Sequence, residues 1–222
     1  MIYKRGDYVP PKNKFSRQQM IDTSVNIVRK DGIGGLTARA IAKKLGVSTQ
    51  PVFTYFSTMD DVRKEVKHSA RFVYDKYVSE GLKEKIPFFG FGMAYISFAK
   101  NEPELYKLLF LNSDNSDVNE TMAELRHSQD LIRESLMKIY RIDEKTADRY
   151  FRDMWLTIHS IATLCVTSAC PYSEEEIGEI LTGFSVSILR SIKEIPGFVN
   201  GKYNSYDIFK CLVTDGYYNN NN

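Results

Sequence analysis

Cysteine is scarce in this 222-residue chain: Cys165, Cys170 and Cys211, odd in number and without metal-ligand spacing. That argues against a disulfide scaffold or a thiolate zinc site and for a reducing compartment, the cytoplasm. No apolar run approaches the ~18–20 residues of a membrane span, so no membrane partner is expected. The opening stretch, Met1-Ile2-Tyr3-Lys4-Arg5-Gly6-Asp7, lacks the apolar core of a secretory leader. Histidine is also sparse, and His68, His127 and His159 are dispersed. Metalloprotease, nucleophile-elbow, phosphate-loop and dinucleotide fingerprints are all missing. No enzyme and no cofactor is therefore expected. Asp60-Asp61 and Glu174-Glu175-Glu176 read as charge at helix starts rather than as acid/base pairs. Nowhere does a period-2 alternation with β-branched residues persist, so the class is all-α.

What is present is unevenly distributed. Residues 1–70 carry 13 Lys+Arg against 6 Asp+Glu, and the remaining 152 carry 17 against 22. A basic head suited to a polyanion thus precedes an acidic body. Residues 1–13, with Pro10-Pro11, read as a flexible arm. Ser16-Arg17-Gln18-Gln19 has the form of a capping box, and Met20, Ile21, Ser24, Ile27 and Val28 line one face of the helix that follows. Asp31-Gly32 ends it. Thr37 caps a short helix of small residues, Gly46 interrupts, and Ser48 caps a second short helix with Pro51 in its first turn. Val52, Phe53 and Phe56 are its expected buried anchors. A long helix follows from about Asp60 to Lys83, kept amphipathic by Val62, Val66, Val73 and Tyr77. Further helices are predicted at about 87–100, 103–111, 118–140, 144–169 and 174–194. Periodicity fades after Pro196-Gly197, and the end, Asn219 to Asn222, is low-complexity.

Two short helices joined at a glycine turn, the second with a small polar outer face, have the form of a helix-turn-helix whose second helix enters the major groove. Here the chain resembles the head of the tetracycline-repressor (TetR) family. Gly32, Thr37, Ile41, Ala42, Gly46, Val47, Ser48, Phe53, Tyr55 and Phe56 fall in register with the family pattern across about residues 16–66. Double-stranded DNA, as a pseudo-palindromic operator, is the partner this resemblance implies. Its DNA-binding candidates are Thr37, Lys43, Ser48, Thr49, Gln50, Pro51, Thr54 and Tyr55. Thr37 and Ser48 offer hydroxyls and helix-start N–H groups to phosphates. Gln50 suits adenine N6/N7 and Pro51 a thymine methyl. Thr49 can bond a base or a phosphate. Tyr55 is either a phosphate contact, as in the family, or a core tyrosine. Phe53 stands where the family usually has Tyr, and Met59 where it usually has Lys. Both of those commonly touch phosphate, and Lys14, Lys43 and Lys64 are the candidates to compensate.

In the body, Phe91, Tyr95, Phe98, Ala99, Pro103, Tyr106 and Phe110 resemble one TetR subgroup in spacing. So does Trp155-x-x-x-His159, with Ser160 where glycine is usual. The resemblance implies a helical bundle that binds a small-molecule effector and dimerises through its last two helices. Tyr95, Phe98, Phe110, Trp155 and His159 are the pocket candidates, with ordinary core packing as the alternative for each. The helices at 144–169 and 174–194 carry apolar residues on more than one face, as a homodimer requires. The expected layout is a flexible arm (1–13), a three-helix helix-turn-helix head (14–58), a helical ligand-binding and dimerisation body (59–198) and a tail (199–222). The expected function is a ligand-released repressor; the alternative is a helical protein without a DNA function, an adaptor or an enzyme.

Overall fold

The computed structural model describes residues 15–111, 118–206 and 208. The expected arm, Lys14, Cys211 and the terminal asparagines lie outside them. Among the described residues there are nine α-helices and no strand, so the all-α expectation holds. They are α1 (Arg17–Asp31), α2 (Ala38–Leu45), α3 (Gln50–Tyr55), α4 (Met59–Gly81), α5 (Pro87–Asn101), α6 (Pro103–Tyr106), α7 (Val118–Tyr140), α8 (Glu144–Val166) and α9 (Glu174–Glu194). Four of the starts follow from local chemistry. Ser16 Oγ accepts from Gln19 N at 3.1 Å while Gln19 Oε1 accepts from Ser16 N at 2.8 Å, which closes the expected capping box. Thr37, Asp143 and Ser173 cap α2, α8 and α9 in the same way, with Glu176 completing a second box.

Three local expectations need correction. Ser48 does not cap α3: Thr49 occupies that position, and no side chain bonds the helix start. Pro51, the second helical residue, has no N–H there to donate to such a side chain. The segment 103–111 is not one α-helix but α6 followed by a π-helical turn over Lys107–Leu111, in which Leu108, Leu109 and Phe110 are all buried. Finally, α8 stops at Val166 rather than near 169. Ser168 takes a left-handed φ of 57°, and Ala169 N donates back to Leu164 O at 2.9 Å, which closes the helix end.

The chain divides into two compact units: Met1–Ser79 with Ser97–Leu125, and Glu80–Ile96 with Arg126–Asn222. In the first, α1 buries Met20, Ile21, Ser24, Val25, Ile27 and Val28, the expected face plus Val25. Arg29 grips the Glu102 carboxylate through two bonds of 2.8 Å, tying α1 to the residue that opens α6. This unit is therefore larger than the head alone. The buried stripe of α4 is Val62, Val66, Ala70, Tyr74 and Val78, a strict i+4 row. Val73 and Tyr77, expected on that face, are only half-buried. Arg71, also on α4, holds the buried Glu124 of α7 through both carboxylate oxygens.

In the second unit, Phe88, Phe91, Tyr95, Tyr150, Phe151, Met154, Ile158, Ile177 and Leu181 are buried. Phe91 and Phe151 pack with ring centroids 5.7 Å apart. Phe88 meets Tyr150 edge-on at 4.9 Å. Glycine sets one close crossing. A Cβ on Gly90 would run into the Gly81 carbonyl, and one on Gly81 into the Gly90 carbonyl. Only glycine at both positions lets these two backbones pass.

Candidate functional site

The head presents α3 on a built support. Gly46 adopts the left-handed conformation (φ 66°, ψ 39°), and Val47 N donates to Ala42 O at 3.0 Å. That turn redirects the chain from α2 into α3 within four residues. Buried Val52 and Phe56 anchor α3 from beneath. Tyr55 donates its hydroxyl to the Phe15 carbonyl at 2.9 Å, joining the end of α3 to the start of α1. Arg17 lies 5.0 Å over the Phe56 ring and pairs with Glu65 at 2.6 Å, so one guanidinium links α1, the α3–α4 turn and α4.

The outer face carries the DNA-binding candidates. Thr37, Lys43, Ser48, Gln50 and Thr54 are exposed, and Thr49, Pro51 and Tyr55 are half-buried. Thr37 Oγ accepts from Ala40 N at 3.1 Å, which leaves its hydroxyl proton for an outside acceptor such as a phosphate. Thr54 instead donates its hydroxyl to the Gln50 carbonyl at 3.2 Å. Phe53 is not the buried anchor expected of it: it is 49% exposed. On a helix each residue turns by ~100° from the last. With Val52 pointing inward, its neighbour joins the outer face. Two exposed cations, Arg39 and Lys44, share α2 with Lys43 and were not singled out from the sequence. The signal was there, since Arg39 and Lys43 are four apart and so on one face. Met59 opens α4 half-buried, and Lys64 is exposed.

The five pocket candidates divide between the units. Tyr95, Trp155 and His159 come together in the second. The Tyr95 hydroxyl lies 3.0 Å from His159 Nδ1. Trp155 and His159 stack at 4.5 Å and 14°, and Tyr95 meets Trp155 edge-on at 6.5 Å and 81°. Burial holds the His159 pKa below its ordinary value, which favours the neutral ring. Phe98 and Phe110 belong to the first unit. There both pack edge-on against Tyr74, at 5.4 and 5.3 Å. Tyr74, fully buried at the centre of that cluster, was missed because its i+4 row includes the small Ala70. A surface groove of about 540 Å³ between α1 and α4 is lined by Ile21, Val25, His68 and Phe72, among others, and by none of the five candidates.

A basic helix-turn-helix with an exposed polar reading face, carried on an all-helical chain, defines a DNA-binding transcriptional regulator. Residues 20–66 match the family of bacterial regulatory proteins, tetR family. That match spans the helix-turn-helix and the start of α4, so the head is similar to the DNA-binding head of that family. No curated protein matches the chain. Solved structures share the fold. One is a protein with unknown function from Rhodococcus sp. RHA1, at 22% identity and TM-score 0.64, covering 82% of this chain and 97% of that one. A TetR-family member from Streptomyces coelicolor A3 is 22% identical with TM-score 0.57, covering 76% and 96%. The multidrug binding protein EbrR, solved with imidazole, is 20% identical with TM-score 0.55, covering 82% and 97%. No helix among the described residues is long and apolar enough to cross a membrane.

Proposed function

We propose that this regulator binds a pseudo-palindromic operator as a homodimer, and that a small, mostly apolar or aromatic effector releases it, which makes it a repressor. The observation that carries the DNA reading is the outer face of α3. There the Gln50 amide stands exposed, with Ser48 and Thr54 on the same short segment and Lys43 on the preceding helix. Lys43 suits phosphate, and Gln50 a base edge. The homodimer reading rests on α8 and α9. Leu156 (55%) and Leu164 on α8, with Phe184 (51%) and Val186 on α9, are exposed apolar side chains. A protomer that leaves them in water invites a second copy, and a two-fold dimer reads a two-fold operator.

The effector reading draws on the aromatic cluster around Trp155 and on EbrR, a fold relative solved with a small aromatic molecule. The physical link is short. The reading helix ends at Tyr55 and α4 begins at Met59, so whatever reorients α4 reorients α3. The effector must bind the DNA-incompetent state more tightly, and DNA must weaken the effector by the same factor. The test is a mobility shift of a palindromic duplex from the gene's own upstream region. Sequence-specific retardation by a dimer supports the reading. Binding that ignores sequence overturns it.

A further inference from the structure

Trp155 is 6% exposed, and its indole Nε1 is buried without a hydrogen-bond partner among the described residues. Buried N–H groups are nearly always paired, and an orphan forfeits its hydration for nothing. Arg149 Nε, another buried donor without an acceptor, at least lies 3.6 Å from the Asp153 carboxylate. The indole ring is otherwise well held: His159 stacks on one face at 4.5 Å, and Tyr95 meets it edge-on. His159 is half-buried, so the stack reaches from the interior toward the surface. Trp155 and Tyr95 carry no formal charge at neutral pH, and burial favours the neutral His159 ring. On α8 the nearby charges Arg152 and Asp153 are paired with each other at 2.6 Å.

We propose that the Trp155 Nε1–H is the recognition point for a neutral ligand carrying a hydrogen-bond acceptor, a carbonyl oxygen or a ring nitrogen, on an aromatic or other planar apolar frame. This rests on the effector reading above and names the chemical class of the effector. An acceptor satisfies the Trp155 donor, which the described residues leave unpaired. A plain hydrocarbon of the same size leaves that donor orphaned. A carboxylate would have to shed its water with no cation in the aromatic stack to receive it. A site built around a buried donor therefore rejects both analogues.

The experiment uses the full chain and three probes of similar size: acetophenone, ethylbenzene and benzoate. Binding is followed by calorimetry and by the indole N–H resonance of the ¹⁵N-labelled protein, a single signal because the chain has one tryptophan. Acetophenone should bind at least about tenfold more tightly than ethylbenzene, the worth of one hydrogen bond to a buried donor. It should also move the indole resonance toward its hydrogen-bonded position, and benzoate should bind more weakly than either. In Trp155→Phe the preference for acetophenone over ethylbenzene should vanish. Should that variant not fold, the wild-type resonance still decides. Equal affinities, no binding by any probe, or an indole N–H already hydrogen-bonded in the free protein, whether by a second copy or by water, overturns the assignment. Release of the duplex is scored separately. Selective binding that leaves the DNA complex intact supports the Trp155 site and removes the release mechanism.

Discussion

Gln50 is the one side-chain amide on α3, with a separate acceptor oxygen and donor nitrogen at its tip. Its bidentate match is to adenine in the major groove. Gln50→Ala should cost about 1–3 kcal/mol at one base-pair position in each half-site and relax the preference there, as read by competition shifts with single-base variants of the operator. An unchanged base preference would place the reading face elsewhere. Lys43→Ala should behave differently, weakening binding to all sequences and flattening the salt dependence, because a phosphate contact carries no base information. His159 gives a residue-scale test of another kind. Burial lowers its pKa, so the folded protein binds fewer protons than the unfolded chain at that site. The associated stability is fully present above the unfolded value of about 6.5 and is lost as pH falls through the lowered folded value. Thermal melting between pH 5 and 7.5 should therefore depend less on pH in His159→Gln than in the parent.

Among the elements, α2 and the α4–α5 connection rest on single residues. The Thr37 cap supplies the side-chain bond at the start of α2. Thr37→Ala should cost about 1 kcal/mol, read as a lower denaturant midpoint with an unchanged slope. At the other connection, the carbonyl of Gly81 stands where a Gly90 side chain would begin. Backbone cannot retreat as a flexible side chain does. Gly90→Ala should therefore destabilise by about 1–3 kcal/mol or more, although alanine is the better helix former by up to ~1 kcal/mol. A Gly90→Ala variant as stable as the parent would show that the crossing is looser than this packing requires.

For the whole molecule, the open question is what covers the outer sides of α8 and α9. Phe184→Glu places a charge on a face that is already exposed in the single chain, so folding should survive. Dimerisation should not, if that face is buried against a second copy. Light scattering at micromolar concentration should then report a folded monomer, and the specific operator shift should be lost with it. A Phe184→Glu protein that remains dimeric would move the interface off this face. The same variant separates two uses of α8. The Trp155 cluster needs acceptor chemistry, and the exposed Leu156 needs a hydrophobic partner.

Much of the architecture could be read from the chain. Helix starts at Ser16, Thr37, Asp143 and Ser173 depend on bonds between residues three apart, and the turn at Gly46 depends on one residue's tolerance of positive φ. Such features are local, so the residues that make them also announce them. The rotation of α3 was not legible. Six residues make fewer than two turns, too few for a hydrophobic period to say whether Val52 or Phe53 points inward. Packing against the rest of the head settles it, burying Val52 and turning Phe53 out. The partner of Tyr55 lies 40 residues away, and the sorting of five aromatics into two clusters depends on which helices meet. Local spacing carries neither. The unpaired indole of Trp155 is the extreme case. An orphaned donor is defined by the acceptors that fail to reach it, and that can be known only once every neighbouring side chain has been placed.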